Sequence, residues 1–335
     1  MEKKKIGILG AGTWGIALAR VLSRNDHEVT VWSAIEKEIE ELEKKRIHPK
    51  LPNVFIPREI EFTENIKEVC AEKDFLIFAV PSPFIRKVAE EAREYIPNDQ
   101  IIIDVAKGIE SSSLSFLSEV IEEEMEKEGK KVKVVALSGP THAEEVAVDM
   151  PTTIVSACSD LEIAEKVQGL FENTCMRVYT NPDIRGVELC GALKNVIALA
   201  CGIASGVGYG DNTKAAIITR GMAEITRLGL ALGCQTETFY GLAGIGDLIV
   251  TATSEHSRNN RAGKLIGQGY SAEQAAKEVG MVVEGVNALP AAIRLSEKYN
   301  VDMPIIRSVN AIISYGAYPA DSVRNLMRRE KKMEF

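Results

Sequence analysis

The sequence predicts an α/β protein in two parts, an N-terminal doubly wound sheet over residues 1–185 and an all-helical domain over residues 186–335. In the first part, apolar runs typical of buried strands alternate with helical patterns, which is the order found in doubly wound parallel sheets. A glycine-rich turn joins the first strand to the first helix. Beyond residue 186 only helical patterns remain, so we expect no strands there.

Length, charge and cysteine usage narrow the class of protein. A chain of 335 residues is long enough to bury the cores of two domains. The formal charge of −8 argues against nucleic acid or an anionic membrane surface as the main partner. The six cysteines lack metal-finger spacing and mostly stand in apolar surroundings. We therefore expect free thiols, no bound metal and a cytoplasmic location.

The N-terminal strand, which begins at Lys5, is separated by the motif GAGTWG from a helix that begins at Thr13. In this context Gly10 permits the tight turn, Gly12 lets a pyrophosphate approach the main chain, and Gly15 allows close packing of helix against strand. The free N–H groups at the start of the helix favour phosphate. The sequence therefore predicts a Rossmann-type sheet that binds NAD or NADP.

The end of the second strand, Glu28 to Trp32, does not indicate which dinucleotide is bound. An NAD site usually has an acidic residue here, and an NADP site usually has an arginine nearby. Trp32 and Ser33 occupy the place instead, and Glu36 stands too far along the chain. The sequence leaves this choice open.

Three further strands are predicted at Phe75 to Val80, Ile101 to Val105 and Lys133 to Leu137, and two more, Thr152 to Ser156 and Met176 to Thr180, extend the sheet. Ligands of such sheets bind beyond the carboxyl ends of the strands. Four candidate residues follow these ends: Lys107, Gly139, Thr141 and Ala143. A solvent-exposed loop lysine is the alternative for Lys107, and a capping role is commoner than base catalysis for the neighbouring His142.

Lys194 and Asn195 lie in a long run of apolar and small residues, which predicts a buried helix. No uncharged stretch of about 18 residues remains around Lys194, so we expect no stable membrane insertion. Burial lowers the pKa of a lysine toward neutrality, as proton transfer requires. The alternative is a lysine whose ammonium group reaches solvent from a shallow groove.

We expect this helix to break at its glycines, Gly202, Gly206, Gly208 and Gly210, with Asp211 capping the next helix.

The next candidates follow in the helical part of the chain. Asp247 follows two glycines, which allow the main chain to approach a site closely. Ser257 can cap a helix that begins near Arg258 and Asn259, and such a helix start is a natural phosphate site. The alternative is an ordinary solvated first turn. Farther on, an apolar turn carries Glu284 between two glycines.

Eight motifs in order carry a resemblance to a known family: GAGTWG, KGIE, SGPTHAEEVA, LCGALKNVIALACGIA, GDNTKAAIITRG, GLAGIGDL, SRNNRAG and VVEGV. From Lys5 to about Ile312 the chain resembles bacterial NAD(P)-dependent glycerol-3-phosphate dehydrogenases. The resemblance implies reversible interconversion of dihydroxyacetone phosphate and sn-glycerol 3-phosphate for phospholipid synthesis in the cytoplasm. Whether the chain forms a homodimer stays open.

The resemblance also implies roles for individual residues. Lys194 is the implied proton donor and acceptor, with Asp247 holding its charge and Asn195 beside it. The implied substrate contacts are Lys107, Gly139, Thr141, Lys194, Asp247, Ser257, Arg258 and Asn259. The implied cofactor contacts, together with the glycines of the turn, are Thr13, Trp14, Lys107, Ala143, Arg258, Val282 and Glu284.

The chain departs from the family pattern at Ala34, where relatives often have a basic residue, and at Glu144, where many have lysine. With neither a basic residue nor an acidic one at the end of the second strand, we expect both NADH and NADPH to be used, with kcat/KM values within about a hundredfold. Two other hypotheses are kept: a β-hydroxyacid dehydrogenase, and a dinucleotide-sensing protein without turnover.

Overall fold

The computed structural model describes residues 2–331 and 333–334, which form two compact units. The first unit contains the chain up to Glu110 together with Ser115–Glu188, and the second contains Ser111–Leu114 and the chain from Leu189 onward. The sequence-based boundary between residues 185 and 186 stays a prediction.

The first unit is built on an eight-stranded sheet in the order β3-β2-β1-β4-β5-β6-β7-β8. The strands are β1 Lys5–Leu9, β2 Glu28–Trp32, β3 Glu61–Thr63, β4 Phe75–Phe78, β5 Ile101–Asp104, β6 Lys133–Ser138, β7 Thr152–Ala157 and β8 Met176–Asn181. The helices are α1 Thr13–Arg24, α2 Glu36–Lys45, α3 Ile66–Cys70, α4 Ile85–Ala92, α5 Leu117–Glu126, α6 Ala143–Val146 and α7 Leu161–Gly169. All seven predicted strands form, and β3 is an additional short strand that the sequence analysis missed.

Both faces of this sheet are apolar. Ile8 and Ile77 belong to one buried cluster, whereas their strand neighbours Leu9 and Phe78 belong to another. Because successive side chains of a strand point to opposite faces, the continuous apolar runs supply a core to each side of the sheet. The predicted doubly wound sheet is confirmed.

One strand runs against the expected direction. β7 pairs with β6 in antiparallel orientation, with Leu137 opposite Ser156, whereas the alternation of strands and helices predicts a parallel sheet throughout. The connection from β6 to β7 contains only the four-residue helix α6. A parallel crossover must carry the chain back along the whole strand, which usually takes a longer helix.

The second unit consists of helices and their connections, with no strand among its described residues. Its helices are α8 Ile184–Val207, which begins in the first unit, α9 Asp211–Ala231, α10 Thr236–Tyr240, α11 Asp247–Thr253, α12 Arg258–Gly267, α13 Ala272–Val279, α14 Glu284–Lys298, α15 Pro304–Tyr315 and α16 Pro319–Met327. A short kinked turn, Leu242–Gly246, precedes α11, and Gly244 within it has non-helical dihedral angles. Among the described residues, α8 is the one helix long and apolar enough to cross a membrane, and its apolar window is completely buried.

Helix α8 breaks at two of the four glycines predicted to interrupt it. It ends at Val207, before Gly208 and Gly210, whereas Gly202 and Gly206 lie inside the helix. A Cβ atom at Gly206 would lie 2.1 Å from the carbonyl oxygen of Lys264 on α12, and one at Gly202 would lie 2.2 Å from that of Asn260. These glycines therefore allow two helices to approach closely rather than ending one. The predicted cap is also wrong, because Asp211 is the first residue of α9 and Gly210 is its N-cap.

Candidate active site

The glycine turn of the first unit has the geometry that its spacing predicts. Gly10 has a φ of +124°, and a Cβ there would lie 2.7 Å from the carbonyl oxygen of Ala79. A Cβ at Gly15 would lie 2.1 Å from the carbonyl oxygen of Gly10. Gly12, by contrast, faces open space, and no side chain caps α1. The open main chain and uncapped helix start fit the pyrophosphate of a dinucleotide.

Thr13 and Trp14 form the first positions of α1. Both are half-buried, and Trp14 packs against the apolar cluster on its side of the sheet. Their main-chain N–H groups belong to the uncapped first turn, where intrahelical acceptors are lacking. The position of both residues is compatible with the cofactor contact that the family resemblance implies.

Three predicted substrate residues meet at the carboxyl edge of the same sheet. The ammonium group of Lys107 donates to the carbonyl oxygen of Gly139 at 3.0 Å and lies 3.5 Å from Thr141 Oγ1. Thr141 also donates to the Gly139 carbonyl, at 3.1 Å. Lys107 is half-buried, and its ammonium group contacts this edge of the sheet, while its contact with substrate stays a prediction. Ala143 begins α6 immediately beyond this cluster, with His142 as its N-cap.

Asp104 and Glu188 are buried acidic residues of the first unit, and Asp104 immediately precedes the loop that carries Lys107. Asp104, at the end of β5, accepts a hydrogen bond from the Ala106 N–H at 3.0 Å. Burial, with a contribution from Glu188, raises the pKa of Asp104 well above its ordinary value. Burial also raises the pKa of Glu188 to about 7, although Ser118 donates both its N–H and its hydroxyl to that carboxyl group. The hydrogen bond from Ala106 to Asp104 fixes the start of the loop that carries Lys107.

In the second unit, Lys194 is buried and paired. Its ammonium group donates to Asp247 Oδ1 and to Thr251 Oγ1, both at 2.6 Å, and its side chain is 6% exposed. The alternative in which this ammonium group reaches bulk solvent is therefore wrong. Thr251 in turn donates to the main-chain oxygen of Asp247 at 2.7 Å. Charge pairing and hydrogen bonding favour the protonated lysine against the cost of burial.

Thr251 is a site residue that the sequence analysis missed. It stands four residues after Asp247 on α11, and residues at this spacing share one face of a helix. That spacing is a signal that could have identified it once Asp247 was selected. A threonine in an apolar helix carries no such indication by itself.

Asn195 is engaged in a separate network next to Lys194. Its side-chain amide donates to the Gly191 carbonyl at 3.0 Å, and its Oδ1 accepts from Asn259 Nδ2 at 2.9 Å. Asn259 Oδ1 accepts from the Gly285 N–H at 2.8 Å. A Cβ at Gly285 would lie 2.5 Å from the carbonyl oxygen of Asn195, so only glycine fits there. The two amides connect α8, α12 and α14 beside the buried lysine.

The start of α12 has the predicted cap. Ser257 Oγ accepts a hydrogen bond from the Asn260 N–H at 3.2 Å. Arg258, the first residue of the helix, is half-buried, and its guanidinium group has no hydrogen bond or ion pair within residues 2–331 and 333–334. A cation at the positive end of a helix is unfavourable unless an anion lies close by. This arrangement fits a phosphate group.

The remaining cofactor candidates lie at the start of α14. Val282 is half-buried in the preceding turn, and Glu284 is the first residue of the helix. The carboxylate of Glu284 accepts a long hydrogen bond from Asn287 at 3.5 Å. Within the described part of the chain, no group of three or more histidine, cysteine, aspartate or glutamate side chains could hold a metal ion.

Two family models match the chain and together cover most of its length. The N-terminal model of NAD-dependent glycerol-3-phosphate dehydrogenase matches residues 5–164, and the C-terminal model matches residues 183–324. The chain belongs to the NAD-dependent glycerol-3-phosphate dehydrogenase family. It is accordingly an NAD(P)-dependent oxidoreductase, as the glycine turn and the buried lysine predict.

Individual members of the glycerol-3-phosphate dehydrogenase family are similar to this chain over nearly its whole length. A relative from Lactobacillus delbrueckii subsp. bulgaricus, named glycerol-3-phosphate dehydrogenase [NAD(P)+] 2, is 62% identical and covers 98% of both chains. One from Fusobacterium nucleatum is 51% identical, again over 98% of both. A crystal structure of glycerol-3-phosphate dehydrogenase from Coxiella burnetii has a TM-score of 0.93 and 34% identity, covering 98% of this chain and 99% of that one.

Proposed function

We propose that this protein catalyses the reversible reduction of dihydroxyacetone phosphate to sn-glycerol 3-phosphate, using NADH or NADPH. The observation that carries the proposal is the buried Lys194, held by Asp247 and Thr251 in a chain of this family. A bound nicotinamide supplies the hydride that the carbonyl carbon of the substrate receives.

Lys194 completes the reduction by acting on the carbonyl oxygen. Negative charge develops on this oxygen as the carbon receives hydride, and a protonated ammonium group in a buried site stabilises that charge. The same group then transfers a proton to the oxygen, which forms the hydroxyl of the product. In the oxidation direction, neutral Lys194 removes the hydroxyl proton.

Asp247 and Thr251 maintain this ammonium group between turnovers. The Asp247 carboxylate favours the charged lysine, and the Thr251 hydroxyl, fixed by its own hydrogen bond to the main chain, sets the direction of Nζ. Asn195 and Asn259 use their amides to connect α8 with α12. We propose that they fix the helix that carries Lys194 relative to the phosphate site.

The start of α12 is the proposed phosphate site. Ser257 caps the Asn260 N–H, and the dipole and remaining N–H groups of the first turn favour an anion. Arg258 supplies a guanidinium group without a partner among the described residues. Binding energy from the phosphate positions the carbonyl group for reaction. Lys107, Gly139 and Thr141 are the proposed substrate contacts of the first unit.

The proposed cofactor contacts also come from both units of the chain. Gly10, Gly12 and Gly15 shape the pyrophosphate turn, and Thr13 and Trp14 open the helix behind it. Further contacts are carried over from the family resemblance: Lys107, Ala143, Arg258, Val282 and Glu284. We propose that the reaction supplies phospholipid synthesis in the cytoplasm. We also propose that the chain forms a homodimer. The six cysteines, all among the described residues, form no disulfide, which is compatible with a reducing compartment.

The test is turnover with dihydroxyacetone phosphate, compared with unphosphorylated dihydroxyacetone and with a β-hydroxyacid. We expect turnover with the phosphate ester and little with the other two. Arg258→Ala should reduce kcat/KM for dihydroxyacetone phosphate by about 10- to 100-fold, since a charge-assisted contact contributes about 1.5–3 kcal/mol. The same substitution should reduce the low rate with dihydroxyacetone by a smaller factor, because only the proposed cofactor contact of Arg258 is then lost.

Arg261→Ala is the matched control, because Arg261 lies on the same helix but is exposed. An unchanged preference for the phosphorylated substrate in Arg258→Ala would remove Arg258 from the phosphate site. Turnover of a β-hydroxyacid in place of dihydroxyacetone phosphate would contradict the proposed reaction.

A further inference from the structure

A carboxylate from α2 lies at the end of β2, although the residues at that strand end are not acidic. Ser33, the residue after β2, donates its hydroxyl hydrogen to Glu38 Oε2 at 2.5 Å. The same hydroxyl oxygen accepts from the Ile35 N–H at 3.2 Å. Glu38 lies in the first turn of α2, five residues farther along the chain. The helix therefore folds back and fixes an acidic group beside the end of the strand.

The other residues at this strand end cannot take part in recognition of a 2′-phosphate. Trp32 is buried, and its indole N–H donates to the Glu64 carbonyl at 2.9 Å. Ala34 and Ile35 are exposed but carry no charge or hydrogen-bonding side chain. The Ser33 hydroxyl already donates to Glu38 and cannot also donate to a ribose. Positions 32 and 33 carry no acidic residue, but Glu38 lies at this strand end through its contact with Ser33.

We infer that the Ser33–Glu38 pair selects the cofactor with a free 2′-hydroxyl, so that the protein binds NAD(H) more tightly than NADP(H). The inference rests on the proposed function, which assigns the cofactor to the glycine turn. In dinucleotide-binding sheets an acidic group at the end of the second strand accepts from the ribose hydroxyls. The same group disfavours a 2′-phosphate, because the phosphate adds negative charge where negative charge already lies.

The charges around the pair support this direction. Three charged residues open α2, the acidic Glu36 and Glu38 and the basic Lys37, so their sum is negative. Glu36 and Lys37 are exposed, whereas Glu38 is half-buried and fixed by Ser33. An exposed lysine is free to move, and bulk water weakens its attraction for an anion. The carboxylate with a defined position therefore dominates at this strand end.

A purely structural role is the competing explanation for the pair. Through the Ser33 hydroxyl, Glu38 connects indirectly to the Ile35 N–H at the start of α2, in the manner of a capping box. Such a role requires a hydrogen-bond acceptor at position 38 but no charge. Glu38→Gln keeps an acceptor and removes the charge, so it separates the two explanations.

The experiment measures dissociation constants of NAD+ and NADP+ for the purified protein by isothermal titration calorimetry, without turnover. We expect the wild-type protein to bind NAD+ about 10- to 100-fold more tightly, and Glu38→Gln to reduce this preference by about tenfold. Glu36→Gln is the matched control. It removes the same charge from the same helical turn but has no contact with Ser33, and the preference should stay close to that of wild type.

A second variant keeps the inference testable if Glu38→Gln does not fold. Ala34→Arg adds a guanidinium group at an exposed position and should shift the preference toward NADP+. Equal affinity of wild type for both dinucleotides would overturn the inference, as would equal effects of Glu38→Gln and Glu36→Gln. Failure of folded wild type to bind either dinucleotide would instead contradict the proposed function.

Discussion

The candidate cofactor site of the first unit consists largely of main-chain atoms, whereas the candidate proton-transfer site of the second unit consists of buried side chains. In the first, Gly12 leaves an open surface beside an uncapped helix start. In the second, Lys194 is surrounded by polar partners at 2.6 Å. Main-chain geometry depends on local sequence, while a paired buried lysine depends on residues more than 50 positions away.

Glycine shows the same difference within one residue type. Gly10 is required by its φ of +124°, a conformation that other residues rarely adopt. Gly202 and Gly206 have ordinary helical geometry and are required because α12 approaches them closely, with Gly263 and Gly267 opposite. Gly10 therefore bends the chain, whereas Gly202 and Gly206 bring together two helices that carry predicted site residues.

Removal of the Lys194 side chain should have the largest effect on activity. The effect should concern the chemistry of the second unit and not cofactor binding by the first. We expect Lys194→Ala to reduce kcat by about 10²- to 10⁴-fold, because a positioned proton donor is lost. The dissociation constant for NADH should not change, since the glycine turn is untouched. Steady-state kinetics and a fluorescence titration measure the two quantities. Lys298→Ala, at an exposed lysine, is the control, and retention of more than about a tenth of kcat would remove Lys194 from the chemistry.

The glycine turn can be tested with two substitutions three positions apart. Gly15→Ala places a methyl group 2.1 Å from the Gly10 carbonyl oxygen, so we expect a loss of about 1–3 kcal/mol in the free energy of unfolding. Gly12→Ala meets no atom within 4 Å and should change stability by less than about 0.5 kcal/mol. Both should weaken NADH binding. Equal stability of the two variants in urea unfolding would contradict the packing role of Gly15.

The contact between α8 and α12 should give a smaller net loss of stability. Gly206→Ala gains up to about 1 kcal/mol in helix propensity but forces a methyl group against Lys264, which costs about 1–3 kcal/mol. We therefore expect net destabilisation in urea unfolding. Gly169→Ala at the end of α7 meets no atom within 4 Å and should be neutral or stabilising. A stabilising Gly206→Ala would show that the helices separate easily.

Much of the first unit could be predicted because its signals are local. Each predicted strand forms within two residues of its expected ends, since a continuous apolar run fits a sheet covered on both faces. Gly10 and Gly15 have the conformation and the packing that their spacing implies. The ordered motifs indicate the family from sequence alone, because they do not depend on tertiary contacts. The direction of β7 was missed, because it depends on how far a short connection can carry the chain.

The sequence by itself determined seven of the eight strands, the glycine turn and the family, and it predicted a buried helix around Lys194. Only the tertiary structure decided which groups surround that lysine, why α8 continues through two glycines, and that Glu38 returns to Ser33. Helical periodicity shows which face of a helix is buried but not which helix covers it. Thr251 contacts Lys194 across 57 positions of sequence, and that contact exists only because two separate helices pack together.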